Sequence, residues 1–332
     1  MTGARWPHAV PGPHDSPAID LDPEILGLSS ARTLVRNFVH KRAVEQVFVT
    51  DVKRVGGRML AMAQLPRTHR LYNDSSSGGY DLLLLSETAR QATEAIVHCL
   101  MNVPLDRRFV MGEMRIELRR AEALAIKRAP VEVVMEFVET KARRRSDGTP
   151  RQLEGSMLCY IDGLLAAEFT GSLMILMNDE YQAFRGQLAT SPPRLGAPAV
   201  QRAQPEQVGK YDPRNVVIGA SRAADGSRIT ADLVVDPGDP VFFDHELDHF
   251  PAMLILEGAR QSAVAAVARL AGTAPRDLLT TACSARFLRF MEFDVPVICS
   301  AFPAEADVVS FELQQHAKPV AAGEVRLAGG VN

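Results

Sequence analysis

Two stretches of this chain are apolar on nearly every helical face: residues 82–100, LLLLSETARQATEAIVHCL, and 252–270, AMLILEGARQSAVAAVARL. A helix that is apolar all round is normally buried, so each stretch predicts one long core helix. Short β-branched runs precede them, Val47-Phe48-Val49-Thr50 in the first case and Ile229 to Val235 in the second. Alternating segments follow, as half-buried strands require. After the first helix they are VEVVMEFVET, QLEGSMLCYI and LLAAEFTGSLMIL, separated by Asp147-Gly148 and Asp162-Gly163. Asp-Gly is hairpin chemistry, because its second residue takes positive φ without strain. After the second helix VPVICSAF, DVVSFELQQ and VAAGEVRL repeat the pattern. Each half therefore reads as an α+β layer in which an antiparallel sheet wraps one long helix.

The halves are copies. Glu87, Arg90 and Gln91 fall on Glu257, Arg260 and Gln261, each displaced by 170. Leu118-Arg119 and Leu288-Arg289 keep that displacement, and Pro130-Val131 matches Pro296-Val297 after a four-residue deletion. The expected organisation is a loose N-terminal arm over 1–30, which holds five prolines, and a first unit over 31–184. A Pro-, Gln- and Ala-rich linker over 185–210 and a second unit over 211–332 complete it. Alone, each unit would expose a sheet edge and an apolar helix face. The sheets are thus expected to join edge to edge, with the helices side by side.

Composition narrows the function classes. Among 332 residues, 37 basic against 40 acidic side chains give a net charge of −3, so no bulk positive field invites nucleic acid. The basic run Lys141 and Arg143–Arg145 sits at a hairpin tip and reads as a solvated turn. Cys99, Cys159, Cys283 and Cys299 lie far apart with no metal-site spacing, as buried thiols of a reducing cytoplasm do. The N-terminus lacks the apolar core of a signal peptide, and no apolar stretch reaches the ~18 residues of a membrane span. There is no dinucleotide or P-loop glycine pattern and no metal set, so neither cofactor nor metal is expected. A cytoplasmic protein follows, with no membrane partner.

Candidate chemistry lies on and before the helices. Glu, Arg and Gln at i, i+3 and i+4 share one helix face. A single such set is most simply a satisfied ion pair, yet buried pairs are weak stabilisers, so two copies point to a polar cavity. In the second half, Asp244-His245-Glu246-Leu247-Asp248-His249-Phe250-Pro251 leads into the helix. His249 then stands beside helix N–H groups able to hold an oxyanion, with His249 or Glu257 as base. In the first half, Pro66-Arg67-Thr68-His69 is separated from Glu87 by the polar insert NDSSSGGYD. Chemistry is expected in the second half, with His69 facing substrate.

These residues resemble a known family. HFP before a helix carrying Glu and Gln is similar to the hot-dog fold of acyl-thioester enzymes, here doubled. The closer resemblance is to the A-factor biosynthesis hot-dog repeat family, the AfsA-like synthases of streptomycete signalling molecules. It is carried by Val39-His40-Lys41, Glu45 to Asp51, Pro66 to His69, Ser86 to Gln91 and Asp248 to Gln261, and spans roughly 35–330. The resemblance implies an acyltransferase that joins a 3-oxoacyl-carrier-protein thioester to dihydroxyacetone phosphate. Its phosphorylated ester would close to a butenolide or an alkyl-hydroxymethylfuran carboxylic acid. Under that reading His249, Glu257, Glu87 and His69 are catalytic candidates. Arg67, Arg90 and Arg260, with Gln91 and Gln261, are candidates for binding substrate and phosphate. A homodimer is compatible with it. A thioester hydrolase, a dehydratase and a non-catalytic acyl-binding regulator are the alternatives.

Overall fold

The computed structural model describes residues 21–74, 78–186, 200–224, 228–234, 236–293, 295–303 and 307–329. The first half runs α1 (Pro23–Leu26), β1 (Val49–Val55), β2 (Arg58–Leu65), α2 (Leu82–Leu100), β3 (Arg108–Leu118), β4 (Val131–Arg144), β5 (Pro150–Ile161), β6 (Leu164–Leu176) and α3 (Asn178–Arg185). The second runs β7 (Arg222–Ala223), β8 (Ile229–Asp232), α4 (Ala252–Ala271), β9 (Leu278–Phe287), β10 (Ile298–Pro303), β11 (Val308–Gln315) and β12 (Lys318–Gly329). All twelve strands form one antiparallel sheet in the order β1-β2-β4-β5-β6-β3-β9-β12-β11-β10-β8-β7. Reading outward from the β3–β9 seam, the two halves have the same strand sequence. The seam pairs Glu113 with Arg286 through Glu117 with Ala282, so the units do join edge to edge. Each sheet wraps its own helix, and α2 and α4 touch. The fold is a tandem hot-dog.

Local chemistry sets these elements. Asp81 starts α2 by accepting a hydrogen bond from the Leu83 N–H at 2.8 Å. Pro251 starts α4, and Gly272 ends it at φ 69. Asp162 and Gly163 both take positive φ in the two-residue turn between β5 and β6. The basic hairpin is neutralised by carboxylates: Lys141 pairs with Glu154, Arg144 with Glu139 and Arg145 with Glu180.

Three sequence expectations need correction. The arm is shorter than 30 residues, because Leu26 of α1 and Leu28 just after it pack against Leu60, Met62 and Val134 on the outer face of the first sheet; residues 1–20 lie outside the described residues. The linker is narrower than 185–210. Its two ends, Arg185 and Lys210, are buried, and only 187–199 lies outside the described residues. Finally, the repeat register after the helices is 169, not 170. The N–H groups of Arg119 and Arg120 share the Ala166 carbonyl as those of Leu288 and Arg289 share Val320.

The halves also hold one another reciprocally. Asp244, before α4, accepts hydrogen bonds from the main-chain N–H groups of Arg42 (2.6 Å) and Ala43 (2.8 Å). Asp74, before α2, does the same for Tyr211 (3.0 Å) and Asp212 (3.1 Å). Each helix-entry loop thus caps the opening loop of the other copy.

Candidate active site

In each copy the helix glutamate centres an ion cluster. Glu87 accepts two parallel hydrogen bonds from Arg90, both 2.8 Å, and one from Gln91 at 3.0 Å. Lys41 lies 3.1 Å from it. Glu257 has the same set: Arg260 at 3.0 and 2.6 Å, Gln261 at 2.6 Å and Lys210 at 3.5 Å. The glutamines pin both helices to the opening loops. Gln91 accepts from the Phe48 N–H and donates to the Gln46 carbonyl, while Gln261 accepts from Val217 and donates to Asn215. Sequence reasoning missed the two lysines. Their signal was present: Lys41, Gln46 and Val47 match Lys210, Asn215 and Val216 at a displacement of 169.

The clusters differ in their surroundings. Glu257 and Lys210 are each only 1% exposed, and the free end of Arg260 meets Asp81, the cap of α2, at 3.4 Å. In the first copy Lys41 is 10% and Arg90 17% exposed. There the spare donor of Arg90 reaches Glu94 at 2.5 Å, and both line a cavity of about 30 Å³ beneath β3 to β6. Burial alone would raise the carboxyl pKa of Glu87, but Arg90 and Lys41, with the hydrogen bonds from Arg90 and Gln91, hold it well below the usual range. Glu257 is depressed for the same reasons, Arg260 and Lys210 outweighing burial.

His249 opens onto a second, much larger cavity of about 780 Å³. Its Nδ1 meets Asp248 at 2.6 Å, and Asp248 also accepts a hydrogen bond from the Tyr181 hydroxyl at 2.6 Å. Burial would raise the Asp248 carboxyl, but these two bonds hold it well below its ordinary value. With Nδ1 occupied, Nε2 is the ring nitrogen left for chemistry. Phe290 meets the imidazole in a T-shaped contact at 4.8 Å, and the Arg185 guanidinium lies over the Phe290 ring at 4.4 Å. Tyr181 and Arg185 belong to α3, a helix that sequence reasoning did not identify. Ala252 lines the same cavity, so the first turn of α4 opens on it, and Arg289, His316 and Lys318 stand at its edge.

Not all expected partners converge. Glu257 does not line the His249 cavity. That cavity instead shares Met111 of β3 with the smaller one holding Arg90 and Glu94. The histidine of the second copy thus adjoins the helix face of the first. Arg67 is exposed and makes no hydrogen bond or ion pair among the described residues. His69 sits beside the Glu87 cluster: its Nε2 meets Gln46 at 3.3 Å, and its Nδ1 accepts from the Tyr72 N–H at 3.2 Å.

His69 makes a pH prediction. Burial, opposed by Glu87, lowers its pKa to about 4, and protonating Nδ1 would break the bond from Tyr72. Its folded pKa lies below its unfolded value, so this stabilisation is complete above the unfolded pKa and is lost as pH falls toward the folded one. Between pH 7 and 5 the loss should be about 2 kcal/mol. The His69→Asn variant keeps an acceptor near Nδ1 and does not titrate. Urea unfolding at both pH values checks this; an equal loss in both proteins would mean His69 is not the cause.

Tandem sheet-wrapped helices, each pinned through a Glu–Arg–Gln–Lys cluster, define a double hot-dog protein in which the first cluster is partly exposed and the second is sealed. The chain belongs to the A-factor biosynthesis hot-dog domain family, whose model matches residues 27–177 and 193–328. It is similar to the 2-oxo-3-(phosphooxy)propyl 3-oxoalkanoate synthase of Streptomyces virginiae, with 31% identity over 82% of this chain and 88% of that one. The protein of the same name from Streptomyces coelicolor is 29% identical over 78% of each chain, and that from Streptomyces griseus 28% identical over 84% and 89%. Among solved structures, the dehydratase domain from the CurF module of curacin polyketide synthase covers 85% of this chain and 97% of its own, at 10% identity and TM-score 0.49. No helix among the described residues is long and apolar enough to cross a membrane.

Proposed function

We propose that this protein joins a 3-oxoacyl thioester, carried by acyl carrier protein in the cytoplasm, to dihydroxyacetone phosphate. The product is the phosphorylated 3-oxoacyl ester, precursor of a butenolide or furan signal. The observation that carries this reading is the His249 cavity, in a family whose named relatives make such an ester. It combines an Asp-backed histidine, a helix start and apolar walls. His249 takes the proton of the triose hydroxyl through Nε2 as the oxygen attacks the thioester carbon. The first turn of α4 faces the developing oxyanion. Glu87 holds Arg90, which lines the adjoining cavity, and Gln91 holds Glu87.

The phosphate clamp is reassigned within this proposal. Arg90 and Arg260 already hold carboxylates, whereas Arg289 and Lys318 stand at the cavity edge and suit a phosphate. Mixing the purified chain with a 3-oxoacyl thioester and dihydroxyacetone phosphate should yield the phosphorylated ester or its cyclised product by mass spectrometry. Thiol release that does not need the triose would establish a hydrolase instead.

A further inference from the structure

The first copy contains an acid/base array that the second lacks. Glu94 on α2 accepts a hydrogen bond from Arg90 through Oε1, while its Oε2 is buried without a partner on the wall of the 30 Å³ cavity. Oε1 lies 3.5 Å from His40 Nδ1. His40 Nε2 meets His98 Nε2 at 2.8 Å, and His98 Nδ1 meets the Val103 carbonyl at 2.8 Å. A carbonyl only accepts, so His98 carries its proton on Nδ1 and offers a lone pair at Nε2. His40 must then donate from Nε2, which leaves its Nδ1 as a lone pair turned toward Glu94. Two acceptors facing each other call for a proton on the carboxyl. An unpartnered buried oxygen calls for the same thing.

The repeat shows that this arrangement is not a by-product of the fold. Glu94, His98 and His40 correspond to Val264, Ala268 and Gly209. His40 has φ 50, a left-handed backbone that Gly209 adopts at φ 72. A non-glycine residue there costs energy, so the first copy accepts strain in order to place an imidazole. That imidazole is 25% exposed and links buried Glu94 to solvent.

We propose that Glu94 is the general acid of this protein, delivering its proton to the departing thiolate and being recharged through His40, which His98 positions. The proposal rests on the acyl-transfer reading above. Met111 borders both cavities, and the proposal places the thioester at this residue, its carbonyl on the His249 side and its sulfur on the Glu94 side. The hydroxyl proton goes to His249, the C–O bond forms, the C–S bond breaks, and the Glu94 proton goes to sulfur. Solvent then returns one proton through His40 to Glu94 and takes one from His249. Burial pushes the Glu94 pKa up to about 7, against the pull of Arg90, so the acid is populated near neutrality. The groups facing Glu94 are Arg90, Glu87 and His98 on its own helix, and Lys41 and His40 from the opening loop. His40 is also faced by Arg90, Arg108 and His245, the last from the other copy.

The test varies the leaving group. Thiol release by the full chain is followed with N-acetylcysteamine and 4-nitrothiophenyl 3-oxoacyl thioesters, with ester formation scored in parallel by mass spectrometry. Glu94→Gln should lower kcat for the N-acetylcysteamine thioester by about 100-fold or more, and by less than about tenfold for the aryl one, whose thiolate needs no acid. Wild-type kcat should fall as pH rises through about 7, and that fall should vanish in Glu94→Gln. His40→Gly, which suits the local backbone, should show the same leaving-group selectivity in weaker form. Equal losses with both thioesters, or an unchanged pH profile, would overturn the proposal. Thiol release with the expected selectivity but no ester would leave Glu94 as the acid and sink the acyl-transfer reading alone.

Discussion

Replacing His249 with alanine is expected to lower kcat for ester formation by about 100- to 10,000-fold, the usual worth of a positioned base, while the protein keeps its melting temperature. The side chain is 30% exposed. Its packing is one hydrogen bond to Asp248 and an edge contact with Phe290. Asp248 retains the Tyr181 hydroxyl when the imidazole is gone, so no buried charge is left without a partner. Asp248→Asn should fall between the variant and wild type, because it orients the ring without supporting a positive charge on it. Steady-state kinetics on folded proteins decides the matter. Near-normal turnover in His249→Ala would place the base elsewhere.

Glu257→Gln is expected to act in the opposite way, through stability. The carboxylate is buried against Arg260 and Lys210 with Gln261 donating to it. Neutralising it leaves two cations facing each other, and breaking a buried pair from one side costs about 3–5 kcal/mol. Burial already lowers the Lys210 pKa, with Arg260 lowering it further, so this lysine depends on its carboxylate. Adding Lys210→Met to Glu257→Gln should recover part of the loss, since the double change removes both sides of the pair. Glu87→Gln should cost less, because Lys41 and Arg90 are 10% and 17% exposed and water can take up part of their charge. Denaturant midpoints give the comparison. A fully stable but inactive Glu257→Gln protein would restore the catalytic role that the sequence suggests.

The duplication, the two long helices and the hairpins were legible because periodicity and turn chemistry are local. ExxRQ stood out because charged residues interrupt an apolar helix twice at one spacing. Lys41 and Lys210 did not stand out, since a lone lysine in a loop resembles any solvated lysine until the fold brings it to a carboxylate. Glu94 was hidden differently. On the helix it is one more polar position, and only the loop carrying His40 gives it a partner. His249 and Glu257, the two bases the sequence offers, stand apart for a geometric reason. Eight positions along one helix entry look close in sequence, yet the helix turns Glu257 toward the opening loop of its own copy while His249 faces the seam.

The reciprocal hold by Asp74 and Asp244 bears on how duplicated units drift apart. Each aspartate grips main-chain N–H groups, which every residue but proline supplies. Arg42-Ala43 and Tyr211-Asp212 share no side-chain character, yet both are gripped alike. Contacts of this kind do not require the gripped residues to change in step. One copy was therefore free to seal its helix glutamate among charges while the other acquired an imidazole pair and an ionisable wall. A homo-oligomer of identical subunits has no such freedom, because any substitution appears in every subunit at once.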